Sequence, residues 1–120
     1  MRILALHGYQ TSSEIFKIQS RFLMRKLKKY NIEWVIPNGL YLSKEPISSI
    51  VKKYFNPPYY HWYIPYDNKY LGIDNSIKYI KSLGKFDGII GFSQGACLAQ
   101  IISNIIKPKF IISICGVKLY

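Results

Sequence analysis

Phe86-Asp87-Gly88-Ile89-Ile90-Gly91-Phe92-Ser93-Gln94-Gly95-Ala96 is the stretch that decides the fold. Phe86 to Ile90 is an apolar run of strand length, and Ala96 to Ile106 is an apolar run long enough only for a helix. Between them, Gly91-Phe92-Ser93-Gln94-Gly95 has the G-x-S-x-G pattern. On the pattern alone a plain loop turn is the simpler reading. The flanking runs select another one, the nucleophile elbow, a tight strand-to-helix turn that holds a serine in a strained conformation at the top of a parallel sheet. Its glycines stand where neighbouring side chains would collide.

Working outward, the N-terminal run Arg2 to Leu6 reads as a buried parallel strand that ends at His7-Gly8-Tyr9-Gln10. Loops at that end of a parallel sheet are where α/β sites are built. Thr11 is expected to cap the next helix, with Glu14 three residues on completing a capping box. That helix should place Phe16, Leu23, Leu27 and Tyr30 on one face and a basic cluster, Arg21, Arg25, Lys28 and Lys29, mostly on the other. Ile32 to Ile36 is the second strand, closed by Pro37-Asn38-Gly39. A short helix from Glu45-Pro46 through Tyr54 would turn Ile47, Ile50, Val51 and Tyr54 inward. In the segment from Phe55 to Tyr66, three prolines oppose regular structure while the aromatics, among them Trp62 and Tyr63, are too many to leave in water. It is either a flap lining a pocket or a satellite cluster under a long loop. Ile73 to Leu83 is an amphipathic helix with Gly84 at its C-terminal cap. The helix after the elbow is apolar nearly all round and stops at Pro108, and Lys109 to Cys115 forms the fourth strand. Alternating strands and helices argue an α/β fold, with a parallel sheet of about four strands flanked by helices.

At 120 residues and 14.0 kDa, residues 1–120 are read as a single domain. The net charge of +11 invites a nucleic-acid or anionic-membrane partner, but fourteen of the seventeen basic residues are lysines, whereas base and groove readers lean on arginine forks. Solvated lysine on helix backs is the plainer reading, so neither nucleic acid nor membrane is expected as a partner. No apolar run is long enough to span a bilayer and none resembles a leader, so a cytoplasmic location is expected. Cys97 and Cys115 lack C-x-x-C spacing and are read as small buried hydrophobes.

Three passages together, Ile3-Leu4-Ala5-Leu6-His7-Gly8-Tyr9-Gln10, the stretch around Trp62, and Phe86 to Ala96, give a resemblance that runs the length of the chain. The chain resembles the serine-hydrolase family of the α/β-hydrolase fold, of the fungal family-of-serine-hydrolases and animal ovarian-cancer-associated type. That resemblance implies a strand order of second, first, third, fourth. It also implies carboxylesterase or thioesterase chemistry on a small acyl ester or thioester, with no metal and no organic cofactor. Ser93 would be the nucleophile, and the backbone N–H groups of Gln94 and Tyr9 would form the oxyanion hole. His7 and Gly8, with Gly91 and Gly95, would be structural residues near the site, and Trp62 and Tyr63 would line the pocket. His61 is read as a surface or flap histidine.

The chain departs from this pattern in one respect that bears on chemistry. The family's triad runs Ser, then Asp, then His along the chain, yet after Ser93 there is no Asp, Glu or His. The expectation is an α/β-hydrolase core truncated after its nucleophile half, lacking the strands that carry the Asp and His. The alternative is a non-catalytic remnant that binds a small apolar or acyl ligand. An uncovered fourth strand would then favour self-association, or pairing with a C-terminal fragment.

Overall fold

The structure is a computed structural model that describes residues 1–44 and 46–117. In chain order it runs β1 (Arg2–Leu6), α1 (Ser13–Gln19), α2 (Arg21–Leu27), a 3-10 turn (Lys28–Tyr30), β2 (Glu33–Val35), β3 (Tyr41–Leu42) and α3 (Ser49–Tyr54). The second half is β4 (Tyr60–His61), β5 (Ile64–Tyr66), β6 (Lys69–Leu71), α4 (Ile73–Ser82), β7 (Gly88–Phe92), α5 (Gln94–Ile106) and β8 (Phe110–Ile114). The main sheet is parallel throughout, in the order β2-β1-β7-β8, which is the order expected. Helices flank this four-stranded sheet, giving the α/β class and the partial α/β-hydrolase core anticipated above.

Strand alternation divides the core between the two faces. Leu4, Leu6 and Ile89 point to the face covered by α4 and α5, where they meet Trp62, Ile80, Leu98 and Ile102, all fully buried. Ile3, Ala5 and Ile90 point to the opposite face and meet Phe16 of α1. In the pairing of β1 with β7, Leu6 lies opposite Gly91, so the loop leaving β1 emerges beside the turn that leaves β7.

Several local expectations are corrected. Ser12, not Thr11, caps α1, its hydroxyl accepting from the Ile15 N–H at 3.2 Å; Thr11 is drawn instead into the loop after β1, and Glu14 pairs with Lys17. The single helix expected from there to Tyr30 breaks at Ser20, whose hydroxyl and N–H both bond the Phe16 carbonyl, at 2.6 and 2.9 Å. A serine that back-bonds to the carbonyl four residues earlier competes with the helical ladder and bends it. Of the apolar face predicted there, Phe16 is buried while Leu23 and Tyr30 remain exposed. α3 begins at Ser49, Ile50 and Tyr54 stand in solvent rather than inward, and Glu45 lies outside the described residues. Ile105 on α5 is also exposed, so that helix is not buried all round.

The aromatic segment is more regular than its prolines suggested. β4 pairs with β3, and β5 with β6 makes a hairpin whose turn residues Asp67 and Asn68 both have positive φ, the conformation a two-residue hairpin turn requires. Trp62 is not a pocket wall: it is fully buried in the main core, its indole N–H donating to the His7 carbonyl at 3.0 Å.

Candidate active site

Ser93 follows directly on β7 and precedes α5, with φ 53° and ψ −115°. Positive φ at a residue with a side chain is strained, and such strain persists only where the surroundings hold it. They do so here through the Ser93 N–H, which donates to the Ile114 carbonyl of β8 at 2.8 Å, and the Ser93 carbonyl, which accepts from Ala96 and Cys97 at 3.0 and 3.1 Å. The two flanking glycines are required by space. A Cβ on Gly91 would run into the Gly95 carbonyl, and one on Gly95 would overlap the carbonyl oxygens of Leu6 and His7. The α5 backbone therefore sits directly on the end of β1. Gly95→Ala is expected to destabilise the fold by about 3 kcal/mol or more, because backbone atoms must move to admit the methyl. Urea unfolding of the variant against the parent checks this, and a loss under about 1 kcal/mol would contradict the packing described.

The side chain of Gln94 has a role that the sequence reading missed. Its Oε1 accepts from the Trp62 N–H and its Nε2 donates to the Tyr63 carbonyl, both at 2.8 Å. One buried amide thus joins the elbow to the aromatic segment as a neighbouring strand would, and Ser76 completes the join by donating to the Trp62 carbonyl at 2.6 Å. The signal available in the sequence was a glutamine, rather than an aliphatic residue, at the start of the apolar first two turns of the helix.

Ser93 opens onto a cavity of about 410 Å³. Besides Ser93 and Gln94, it is lined by Tyr9, Tyr63, Ile64, Pro65, Cys97, Cys115 and Val117. Of the two aromatics expected at the pocket, Tyr63 is there and Trp62 lies beneath. Burial, followed by the neighbouring Cys97, pushes the Tyr63 phenol well above its ordinary range, so it stays a neutral hydroxyl. Cys115 is exposed, contrary to the reading of both cysteines as buried; Cys97 is buried. The backbone N–H groups of Tyr9 and Gln94 have no acceptor among the described residues, as expected of the first N–H of a helix in the case of Gln94.

Neither histidine approaches Ser93 as a base. The His7 ring is fully buried; its Nε2 accepts from the Gly39 N–H at 2.8 Å, so Nδ1 carries the proton and donates to the Gly8 carbonyl at 2.7 Å. Thr11 donates to that same carbonyl. Burial pushes the His7 pKa down to about 4, against the weaker opposing effect of the Gly8 bond. Because the folded state resists a proton that the unfolded chain takes up near pH 6.5, stability should fall as pH drops from about 6.5 to about 4, by about 3 kcal/mol. His7→Gln should flatten this part of a stability-against-pH curve. An equal slope in parent and variant would show that His7 is not the group responsible.

His61 is buried, not a surface residue. It bonds Ser43 Oγ through Nδ1 at 2.7 Å and stacks on Tyr41. Asp87 immediately precedes β7, at the end away from Ser93, where the Arg2 N–H holds its carboxyl below the usual range and Lys109 pairs with it. Among the described residues no imidazole or carboxylate bonds Ser93 Oγ, and no cluster of His, Cys, Asp and Glu could hold a metal ion. Among them too, no helix is long and apolar enough to cross a membrane.

The family profile described as Serine hydrolase (FSH1) matches residues 1–120. The chain is 36% identical to Esterase FPY3 of Fusarium mangiferae over 108 residues, which covers 85% of this chain and 48% of the relative. It is 29% identical to Family of serine hydrolases 3 of Saccharomyces cerevisiae, covering 98% of this chain and 56% of that protein. Rhodanese-like domain-containing protein 6 of Arabidopsis thaliana is 32% identical, with 85% and 22% covered. The chain thus spans about half, or less, of the length of these curated relatives. With the matched profile covering every residue and the strained Ser93 turn in place, the chain belongs to the serine hydrolase (FSH1) family.

Proposed function

We propose that Ser93 is the nucleophile of a carboxylester or acyl-thioester hydrolase. The observation that carries this reading is the elbow itself: a serine held at positive φ, at the N-terminus of a helix whose first six residues, Gln94 to Ala99, are buried, and on the wall of a largely apolar cavity. Ser93 Oγ would attack the acyl carbonyl and form an acyl-enzyme. The oxygen that gains charge would be held by the N–H groups of Gln94 and Tyr9, with the α5 dipole adding to the effect. His7, Gly8, Gly91 and Gly95 act in this scheme as structural supports. The general base and its orienting carboxylate would come from a segment beyond residues 1–120, docked against β8, as the greater length of the relatives allows.

A second reading is a non-catalytic domain that holds a small apolar or acyl ligand in the Ser93 cavity. It is favoured by the engagement of His7 and His61 elsewhere. The two are separated by ester turnover in residues 1–120 joined to the C-terminal half of such a relative, with and without Ser93→Ala. Turnover lost in the variant supports the hydrolase; no turnover in either supports the binding domain.

A further inference from the structure

Two thiols share the cavity of Ser93, and the hydrolase chemistry uses neither. Cys115 is the first residue past β8, beyond the last paired position, and its thiol is exposed at the cavity. Cys97 is on the second turn of α5 and is buried in the cavity wall. Its Sγ accepts from the Val117 N–H at 3.3 Å and donates to the Val117 carbonyl at 3.2 Å. The segment 115–117 is therefore held against α5 by the second thiol itself, two residues from the first. Gly116 lies so close to Ala96 and Ser113 that a Cβ there would come within 2.8 Å of both side chains.

We propose that Cys115 and Cys97 form a thiol–disulfide pair that closes the Ser93 cavity under oxidation by a low-molecular-weight disulfide. Cys115, as thiolate, attacks one sulfur of the small disulfide. A new S–S bond forms, the old one breaks, and the departing thiolate takes up the proton that Cys115 lost. Cys97 then gives up its proton and attacks Cys115 Sγ, and the second small thiol leaves carrying that proton. Two cysteines are oxidised to one disulfide and the small disulfide is reduced to two thiols. The order follows from exposure, since the accessible thiol reacts first and the buried one resolves it. Cys115 can move to meet Cys97 because it lies outside the sheet pairing. Forming the bond takes Cys97 away from Val117 and draws the cavity wall across the approach to Ser93.

The experiment treats dilute residues 1–120 with oxidised glutathione and reads intact and peptide masses without reduction. The parent is expected to lose the mass of two hydrogens, to give a Cys97–Cys115 linked peptide, and to regain its mass with a reductant. Cys97→Ala should stop at a glutathione adduct on Cys115, and Cys115→Ser should lose thiol at least about tenfold more slowly than the parent. A lasting adduct on the parent, a disulfide between two chains, or equal rates in parent and Cys115→Ser would each overturn the pair. These masses are read whether or not Ser93 is a nucleophile; only the effect on turnover rests on that reading. In the joined chain used above, ester turnover should fall on oxidation and return on reduction. Turnover unaffected by a formed disulfide overturns the closure, whereas no turnover before oxidation counts against the nucleophile instead.

Discussion

Residues 1–120 alone should hydrolyse p-nitrophenyl esters near neutral pH no faster than their Ser93→Ala variant. An alcohol is a weak nucleophile until a base removes its proton, and the only two imidazoles in the chain are committed elsewhere, His7 to Gly39 and Gly8, His61 to Ser43. What would remain is the proposed oxyanion site and the cavity; in a triad enzyme stripped of its members such elements leave ~10³–10⁴-fold over water and do not depend on the serine. Restoring an Asp and a His should change the sensitivity as well as the rate. In the joined chain, Ser93→Ala should cost ~10⁴–10⁶ in kcat, because members of a triad act as a unit. The comparison is therefore between two ratios, near one for residues 1–120 and several orders of magnitude for the joined chain. Robust turnover by residues 1–120 that Ser93→Ala abolishes would mean that a base inside them reaches Ser93, and His7→Gln and His61→Gln would then identify it.

What could be read from the sequence and what could not divide along physical lines. The elbow and its glycines were legible because each rests on a short-range rule: apolar runs of strand length, a helix-length run, and a turn that leaves no room for Cβ atoms; the order of the strands, a pairing between distant segments, was legible only through the family resemblance. Gly91 and Gly95 do what that rule requires. The break at Ser20 was not legible, since a serine hydroxyl can face solvent or bond back to the helix, and only packing around Phe16 decides. Trp62 and Gln94 illustrate a second limit. The depth of the tryptophan depends on an amide 32 residues away that satisfies its backbone, and no periodicity reports a pairing over that distance. The asymmetry of the two cysteines belongs to the same class: β8 leaves Cys115 just past its end, where nothing in its neighbours' hydrophobicity foretells exposure.

At micromolar concentration residues 1–120 should run as a dimer or larger species in size-exclusion chromatography with light scattering, and should bind a hydrophobic dye. Among the described residues β8 pairs only with β7, so its other edge offers unsatisfied N–H and C=O groups to any extended partner. Its side chains add an apolar face: Ile112 and Ile114 are 46% and 40% exposed, and Leu23 beside them is 40% exposed. Along this face lie two grooves of about 450 and 310 Å³, the first walled by Phe16, Phe92 and Ile114, the second by Leu27, Trp34 and Ile112. Lys109 flanks the strand without interrupting it and is already paired with Asp87, and Lys118, the other flanking charge, lies outside the described residues. Opposing association is the net charge of +11, a repulsion that salt screens within about 10 Å at 0.1 M. The two forces give opposite salt dependences to the two partners that a basic, apolar surface could take. Self-association through β8 should strengthen as salt rises, whereas binding to a polyanion should weaken steeply. Ile112→Lys with Ile114→Lys places like charges on both copies of the face and should raise the concentration needed for dimer at least about a hundredfold, roughly 3 kcal/mol. A parent that stays monomeric and takes up no dye, at low salt and high, would mean that the edge and face of β8 are already covered within residues 1–120, and the segment carrying the base would have to dock elsewhere.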